Sequence, residues 1–329
     1  MSKHFFQTRL PLLGFCAALL SFTACSDDEE GTGVAPSLPA LGQNRPITDI
    51  RSGGGYYGGS RALYIYDLEG HMTGGYDFGK DFVISTDPFL FEISSSSYPA
   101  TWKNITTNSR GGITSATIEE YDTYEDMTYT YELRASYTGD GRLSRLSGSV
   151  REDGVTYTYQ WTLQYEDGNL VSMVEEDAEP GYKAVTTWDF EYDEAGRRPN
   201  SGICFLMDDD ILPTEPFQWY TGYWGRLSDE IPLSCEYTYV ETEDGEDVYD
   251  MTSTTRYDVT YNSDGTVASF GFNGGVHGSE HLTFTYGNDF STGAGRAVPA
   301  VRPAAAGEQP QLRKSLRERI RARRAAAQR

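Results

Sequence analysis

The sequence predicts an all-β protein built as an antiparallel meander, and three observations lead to that prediction. Tyrosine, threonine and tryptophan alternate with other residues at a period of two in several stretches of the chain. The 329 residues include 24 tyrosines and 35 glycines, and glycine turns follow the alternating stretches at similar positions. A period of two is typical of strands that have one buried and one exposed face.

The clearest alternation lies at 127–137 and returns at 155–165. One face of the first stretch holds Met127, Tyr129, Tyr131, Leu133, Ala135 and Tyr137, and the other holds threonine, glutamate, arginine and serine. Shorter stretches of the same kind occur at 188–192, 257–261 and 282–286. Eleven residues at about 3.4 Å each span about 37 Å, so the longest strands are expected to be long.

A turn motif, Tyr-x-x-x-Gly-x-apolar, closes these strands and opens the next ones. It begins at Tyr137 and Tyr261, and related copies begin at Tyr66 and Tyr192. Glycine supplies the positive φ that tight hairpins need. The spacing of the turns predicts about ten to fourteen long strands in residues 46–290, which form either a curved open sheet or a barrel-like closure.

The N-terminus has the features of a lipoprotein signal peptide over residues 1–24. Lys3 and Arg9 precede an apolar run that is too short to span a bilayer comfortably. The run ends in Thr23-Ala24-Cys25, which resembles the bacterial lipobox, in which the cysteine is lipidated after the leader is removed. The alternative is a secreted protein whose cleavage site happens to contain Cys25.

Residues 25–45 are predicted to form an acidic flexible tether. Ser26, Asp27, Asp28, Glu29 and Glu30 follow Cys25 directly. This cluster resembles the surface-export signal of Bacteroidota lipoproteins, and that resemblance implies a location on the outer membrane, facing outside the cell. A solvated acidic tether without an export role is the simpler interpretation.

The charge is distributed unevenly, with net −32 over residues 25–295 and net +8 over residues 296–329. An acidic body repels a phosphate backbone, so a nucleic-acid partner is not expected. Residues 291–329 form a linker and a basic tail in which Leu312, Leu316 and Ile320 recur every four residues. The tail is expected to form a short helix on anionic lipid or on the acidic body, or to be disordered.

The hairpins and the lipidated start together resemble Bacteroidota surface lipoproteins of the DUF4595 type. That resemblance implies a barrel-like, porin-like fold and no assigned activity, and it carries over no catalytic residue. The hairpins are also similar to the YD repeats of Rhs and teneurin-type shells. The sequence departs from the repeat at Pro199, which interrupts the strand expected after Gly196. A membrane-spanning barrel is disfavoured, because the strands carry charges and a lipid anchor would be redundant.

A search for catalytic and metal-binding residues finds no convincing set. His277 and His281 lie among glycines, and the Asp208-Asp209-Asp210 run lacks the spacing of a calcium loop. We therefore predict no catalytic residue, no metal site and no cofactor. Cys204 and Cys235 are a possible disulfide, with two buried thiols as the alternative.

A run of aromatic residues between the two cysteines is the possible binding platform. It consists of Phe217, Trp219, Tyr220, Tyr223 and Trp224. Exposed aromatic rings stack on sugars and anchor protein interfaces, whereas buried ones pack in a core. Both interpretations of the run remain open from the sequence.

The sequence favours a surface-exposed lipoprotein that binds glycan or another surface protein, or acts as a scaffold, without catalysis. The alternatives are a hydrolase that cleaves polysaccharide with paired carboxylates, and a purely structural envelope protein.

Overall fold

The computed structural model describes residues 45–55, 61–67, 70–95, 98–124, 126–152, 155–179, 181–206, 216–274 and 279–287. Within these ranges the chain forms sixteen strands and one short helix. The strands are β1 (Ile47–Gly55), β2 (Arg61–Tyr66), β3 (Met72–Asp77), β4 (Lys80–Thr86), β5 (Phe89–Ser94), β6 (Ala100–Thr107), β7 (Ile113–Asp122), β8 (Met127–Tyr137), β9 (Leu143–Glu152), β10 (Val155–Glu166), β11 (Asn169–Glu179), β12 (Tyr182–Glu191), β13 (Ser234–Glu243), β14 (Glu246–Tyr261), β15 (Val267–Gly274) and β16 (Ser279–Tyr286). The helix, α1 (Pro216–Tyr220), lies between β12 and β13.

All sixteen strands belong to one closed antiparallel barrel. Each strand pairs with its neighbours in sequence, and β1 closes the barrel by pairing with both β2 and β16. The all-β antiparallel prediction is confirmed. Of the two expected forms, the structure has the barrel-like closure and not the curved open sheet. The strand number is higher than the expected ten to fourteen, because β2 to β5 have only six or seven residues and are too short to show a clear period.

The inward face of the barrel is mainly apolar and the outward face is mainly polar. On β10, Tyr159 and Trp161 point inward and are 3% and 0% exposed, whereas Thr158 and Gln164 point outward and are exposed or partly exposed. A barrel that spans a membrane has the reverse arrangement, with an apolar band outside. The polar outer wall of the described strands is therefore suited to water.

The connection between β12 and β13 folds back into the barrel over its described residues, 192–206 and 216–233, and we call these residues the plug. Its aromatic side chains pack against the inward side chains of the wall. Phe217 stacks on Phe82 with ring centroids 4.0 Å apart, and Trp224 lies against Trp102 with centroids 6.3 Å apart. The wall also fixes helix α1, which belongs to the plug, because the Phe217 amide donates a hydrogen bond of 3.2 Å to the carboxylate of Asp77 on β3.

The plug approaches the hairpin turns so closely that two glycines are required. A Cβ on Gly168 would collide with the carboxylate of Asp229, and a Cβ on Gly225 would collide with the carbonyl of Gly141. Gly168 and Gly225 also have φ angles of +81° and +75°, a region that other residues rarely adopt. These glycines therefore serve both the turn conformation and the docking of the plug.

The barrel has two different ends. The plug enters at the end where β16 finishes and β1 starts, which we call the closed end, and we call the opposite end the mouth. At the closed end the Gly287 amide donates to the Pro46 carbonyl at 2.8 Å, and the Arg45 Nε donates to the Gly287 carbonyl at 3.0 Å. The chain therefore enters and leaves the barrel at the closed end.

Five tyrosines at the closed end make the same hydrogen bond, and we call them the clasp tyrosines. Each lies within one residue of the end of an even-numbered strand and donates its hydroxyl to the carbonyl of the first or second residue of the preceding odd-numbered strand. The bonds are Tyr66 to Ile47 at 2.8 Å, Tyr137 to Ile113 at 2.7 Å, Tyr165 to Leu143 at 2.9 Å, Tyr192 to Leu170 at 2.8 Å and Tyr286 to Val267 at 2.9 Å.

The clasp explains why tyrosine opens the repeated turn motif. The ring fills the closed end beside the core, and the hydroxyl reaches a backbone carbonyl at the start of the adjacent preceding strand, so one side chain joins two successive hairpins of the closed end. Tyr261 occupies the same position at the end of β14, but its buried hydroxyl has no hydrogen-bond partner among the described residues. The plug separates β12 from β13. The start of β13 therefore does not lie beside Tyr261 in the way that the other odd-numbered strands lie beside their clasp tyrosines.

The clasp predicts different effects for the same substitution at two positions. Tyr165→Phe removes the hydroxyl that donates to the Leu143 carbonyl and should lower the free energy of unfolding by about 1–2 kcal/mol. Tyr261→Phe removes a buried hydroxyl that has no described partner, so it should leave the stability unchanged or raise it. Urea unfolding of both variants measures the difference, and an equal loss at both positions would contradict the clasp.

Burial raises the pKa of every clasp tyrosine. The pKa of Tyr286 rises to about 12, mainly because burial disfavours the phenolate. The pKa values of Tyr66, Tyr137, Tyr165 and Tyr192 are raised by the same cause. The folded barrel therefore holds these protons more tightly than the unfolded chain does, whose tyrosines ionise near pH 10.

This difference predicts a loss of stability at alkaline pH. Below about pH 10 the tyrosines are protonated in both states and contribute no pH dependence, and above it the unfolded chain releases protons that the native barrel retains. The free energy of unfolding should therefore fall as pH rises above about 10. Phenolate absorbance followed together with near-ultraviolet circular dichroism should show most tyrosines ionising only as the fold is lost. Reversible ionisation of all tyrosines while the protein stays folded would contradict this prediction.

Candidate functional site

Several predicted functional residues lie outside the described part of the chain. These are the lipidation residue Cys25, the export cluster Ser26 to Glu30 and the basic tail after residue 296. His277 and the aspartate run at 208–210 lie outside it as well. The expectations for all of them stay predictions.

The structure places the possible aromatic platform inside the plug. Phe217, Trp219, Tyr220, Tyr223 and Trp224 are between 0% and 6% exposed. Tyr223 packs against Phe89 and Phe91 with ring centroids 5.4 and 5.3 Å apart, and burial raises its pKa. These rings therefore present no stacking face at the surface, and core packing, the second interpretation of the run, describes their position.

Cys204 and Cys235 are buried in the structure as two thiols, with no disulfide between them. Cys204 belongs to the plug, and Cys235 points inward from the start of β13. Burial raises the pKa of the Cys235 thiol to about 12. The thiolate that disulfide chemistry requires is therefore strongly disfavoured at Cys235.

The barrel wall is much taller on one side of the mouth. Strands β7 to β14 have between 10 and 16 residues, and we call this half the long wall. Strands β2 to β5 have six or seven, and the plug fills the barrel on their side. The upper inward face of the long wall is thus the part of the interior nearest the mouth.

Carboxylates and tyrosines occupy that upper inward face. The strand register aligns Trp161, Glu175, Thr186 and Tyr239 in one row across β10 to β13. The next row towards the mouth holds Tyr159, Asp177, Ala184, Glu241 and Tyr249. Glu175, Asp177 and Glu241 are only 2%, 4% and 6% exposed. We take these two rows, with Tyr182 above them, as the candidate functional site.

Tyrosine hydroxyls hold the buried carboxylate of Glu241 in place. Tyr182 donates to its Oε1 at 3.0 Å, and Tyr239 donates to the same oxygen. A similar pair lies on β7 and β8, at the other side of the long wall, where Tyr131 donates to Glu120 at 3.3 Å. A buried carboxylate is tolerated when donors of this kind compensate for its lost hydration.

The rim of the site is open to solvent. Tyr249 is 50% exposed, and its ring lies 6.0 Å from that of Tyr239. A ring that is half exposed beside hydroxyls and carboxylates can stack on an apolar sugar face while the polar groups bond to sugar hydroxyls. The described residues include no group of three or more histidine, cysteine or acidic side chains arranged to hold a metal ion.

Two carboxylates of the second row flank a small residue. Asp177 and Glu241 lie on either side of Ala184, so their Cα atoms are two strand spacings apart, or about 10 Å. Alanine has the smallest side chain of this row and lies between them on the inward face. This is the arrangement in the described barrel that most resembles the carboxylate pair of a glycosidase.

These carboxylates were not among the site residues predicted from the sequence. The signal that could have found them is their phase, because Glu175 and Asp177 follow Met173 at the buried positions of the alternation. Acidic residues at two successive inward positions break the apolar pattern of a strand. The abundance of acidic residues elsewhere in the chain hid this signal.

No protein-family profile and no curated protein matches the chain in sequence. The barrel is similar in fold to two solved structures described as porin-like proteins. One, from Bacteroides uniformis, shares 15% identity, covers 76% of this chain and 100% of its own, and has a TM-score of 0.50. The other, from Bacteroides vulgatus, shares 11% identity, covers 73% of this chain and 98% of its own, and has a TM-score of 0.52.

At these identities the likeness shows the fold alone. The porin-like fold that the resemblance implies is confirmed, and the narrower DUF4595 assignment stays a prediction. No helix among the described residues is long and apolar enough to cross a membrane.

Proposed function

We propose that the protein is a lipid-anchored barrel on the outer surface of a bacterium, and that it binds a glycan at the tyrosine–carboxylate face of its mouth. The two ends of the barrel differ in the way that such a role requires. The closed end carries both ends of the barrel chain, and the mouth carries the polar inward face.

The position of the chain ends is the observation that carries the proposal. Residue 45 enters at the closed end, where Arg45 bonds to Gly287. If residues 25–45 form the predicted flexible tether, a chain of about twenty residues would have a root-mean-square length of about 25 Å. An anchor at Cys25 would thus hold the closed end towards the membrane and direct the mouth towards the medium.

The chemistry of the mouth favours a polyhydroxylated ligand. Tyr182, Tyr239 and Tyr249 combine rings with hydroxyl groups, and Glu241 and Asp177 are strong acceptors for sugar hydroxyls. An anionic ligand is disfavoured, because it would meet the carboxylates directly. A neutral or amino-substituted glycan fits this face best.

Hydrolysis of the bound glycan is the second candidate function, and the pair formed by Asp177 and Glu241 favours it. The spacing across Ala184 is compatible with two carboxylates on opposite sides of a sugar. Incubation of a bound glycan with the protein distinguishes the two functions, because catalysis releases new reducing ends and binding alone does not.

The proposal predicts a loss of glycan binding when the exposed ring of the rim is removed. On an array of neutral and amino-substituted glycans, Tyr249→Ala should weaken binding about tenfold, which corresponds to about 1.4 kcal/mol. Tyr76→Ala is the matched control, because Tyr76 points outward from β3 and its loss should leave binding unchanged. Absence of any glycan ligand for the wild-type protein, or an equal loss in the control, would refute glycan binding.

The anchor is tested separately in the bacterium. Cys25→Ser should abolish incorporation of labelled fatty acid and move the protein from the membrane fraction to the soluble fraction. Cys16→Ser, in the predicted leader, is the control and should behave like the wild type. Labelling that persists in Cys25→Ser argues against the anchor without affecting the glycan experiment.

A further inference from the structure

Strand β14 has a long side with no neighbouring strand. It is the longest strand, with 16 residues, and it pairs with β13 from Glu246 to Arg256. Its pairing with β15 begins only at Thr255. Residues 246–254 therefore have no described strand on their β15 side, and this segment, which we call the free edge, is about 30 Å long.

The hydrogen-bonding direction of the free edge follows from its two ends. The Tyr257 amide donates to the Leu233 carbonyl on the β13 side at 2.9 Å. Along an antiparallel strand, the N–H and C=O groups of successive residues point to alternate sides. Because those of Tyr257 point towards β13, those of Asp250, Thr252 and Thr254 point away from it. The carbonyl of Thr254 does lie on that side, because it approaches Gly274 of β15.

The side chains of the free edge are also open to solvent. Every residue from Glu246 to Asp250 is exposed, as are Thr252 and Thr254. Val248 and Tyr249 are 48% and 50% exposed, two of the few large apolar side chains that are so open among the described residues. Unpaired backbone groups beside exposed apolar side chains form a template for strand addition.

The charges of the free edge select the kind of strand that it can accept. Glu246, Asp247 and Asp250 are acidic, and the segment contains no basic residue. A second copy pairing across this edge in antiparallel orientation would bring these carboxylates together, which disfavours self-association. A basic strand would neutralise them.

We infer that the free edge of β14 binds an extended basic segment of another protein by strand addition. The segment would alternate, with lysine or arginine on the outward face opposite Asp250 and with apolar or β-branched residues beside Tyr249 and Met251. The free edge shares Tyr249 with the second row of the candidate site, but strand addition uses backbone groups on the β15 side, so the inference does not depend on glycan binding.

A synthetic peptide tests the inference on the full mature chain. The probe is acetylated and amidated Val-Lys-Val-Lys-Thr-Lys-Val-Lys-Val, and its partner has glutamate in place of every lysine. The basic peptide should bind at least tenfold more tightly than the acidic one. Its binding should slow the hydrogen exchange of the Asp250 and Thr252 amides while leaving the closed end unchanged.

Two substitutions at one position separate backbone pairing from simple charge attraction. Thr252→Pro removes the outward amide without removing a β13 bond and should weaken the basic peptide at least tenfold. Thr252→Val keeps the amide and should bind within twofold of the wild type. If Thr252→Pro does not fold, the double variant Asp247→Lys with Asp250→Lys decides, since it should reverse the preference between the two peptides.

Four results would overturn the inference. The first three are equal binding of the two peptides, wild-type affinity in folded Thr252→Pro, and sedimentation as a dimer that Thr252→Pro dissociates, which would make a second copy the occupant. Tighter binding at this edge by a peptide of residues 309–329 would overturn it as well, because the chain's own tail would then be the occupant.

Discussion

A closed sheet of sixteen strands encloses more space than its own inward side chains can fill, and the rest of this structure depends on how that space is occupied. Barrels of this strand number leave an aqueous channel unless another part of the chain enters them. Here the plug supplies the missing core. Asp77 holds the start of helix α1, and Arg142 bonds to Asp229 at 3.0 Å between a hairpin turn and the plug. The wall can be apolar inside only because the plug covers it.

The clasp tyrosines show how a repeated local motif builds a barrel that the repeat alone does not determine. Each clasp bond joins residues 19 to 24 positions apart, so it forms within two neighbouring hairpins and needs no distant strand. Contacts of this range cost less chain entropy than closure between β1 and β16. The Tyr137 hydroxyl also lies 3.0 Å from the Tyr223 carbonyl of the plug, so its one proton is shared between the Ile113 and Tyr223 carbonyls. The clasp therefore couples the local hairpins to the one segment that fills the barrel.

The fold could be predicted from the sequence where one face of a strand was regular over many residues. Strands β8 and β10 alternate without interruption, and the motif at Tyr137 and Tyr261 marks true turns. Strands β2 to β5 could not be recognised separately in the sequence, because Gly74-Gly75 and Pro88 interrupt alternating stretches that are already short. The burial of Tyr223 and Trp224 could not be predicted, since periodicity says nothing about a connection that turns back into the barrel. Glu175 and Glu241 were missed because their significance depends on which face of the strand points inward.

The acidic side chains of the long wall are informative because the fold gains no packing from them. Glu175, Asp177 and Glu241 sit at inward positions where the same strands, nearer the closed end, carry Met173 and Tyr237. A buried carboxylate costs free energy unless donors surround it, and the tyrosine hydroxyls around Glu241 reduce that cost without removing it. Apolar residues at these positions would fit a purely structural barrel better. Departures from the local pattern are expected at functional sites, and the carboxylates occur at the mouth, in the half of the wall that rises above the plug. Their position is the physical reason to look for a ligand at the mouth rather than on the polar outer wall.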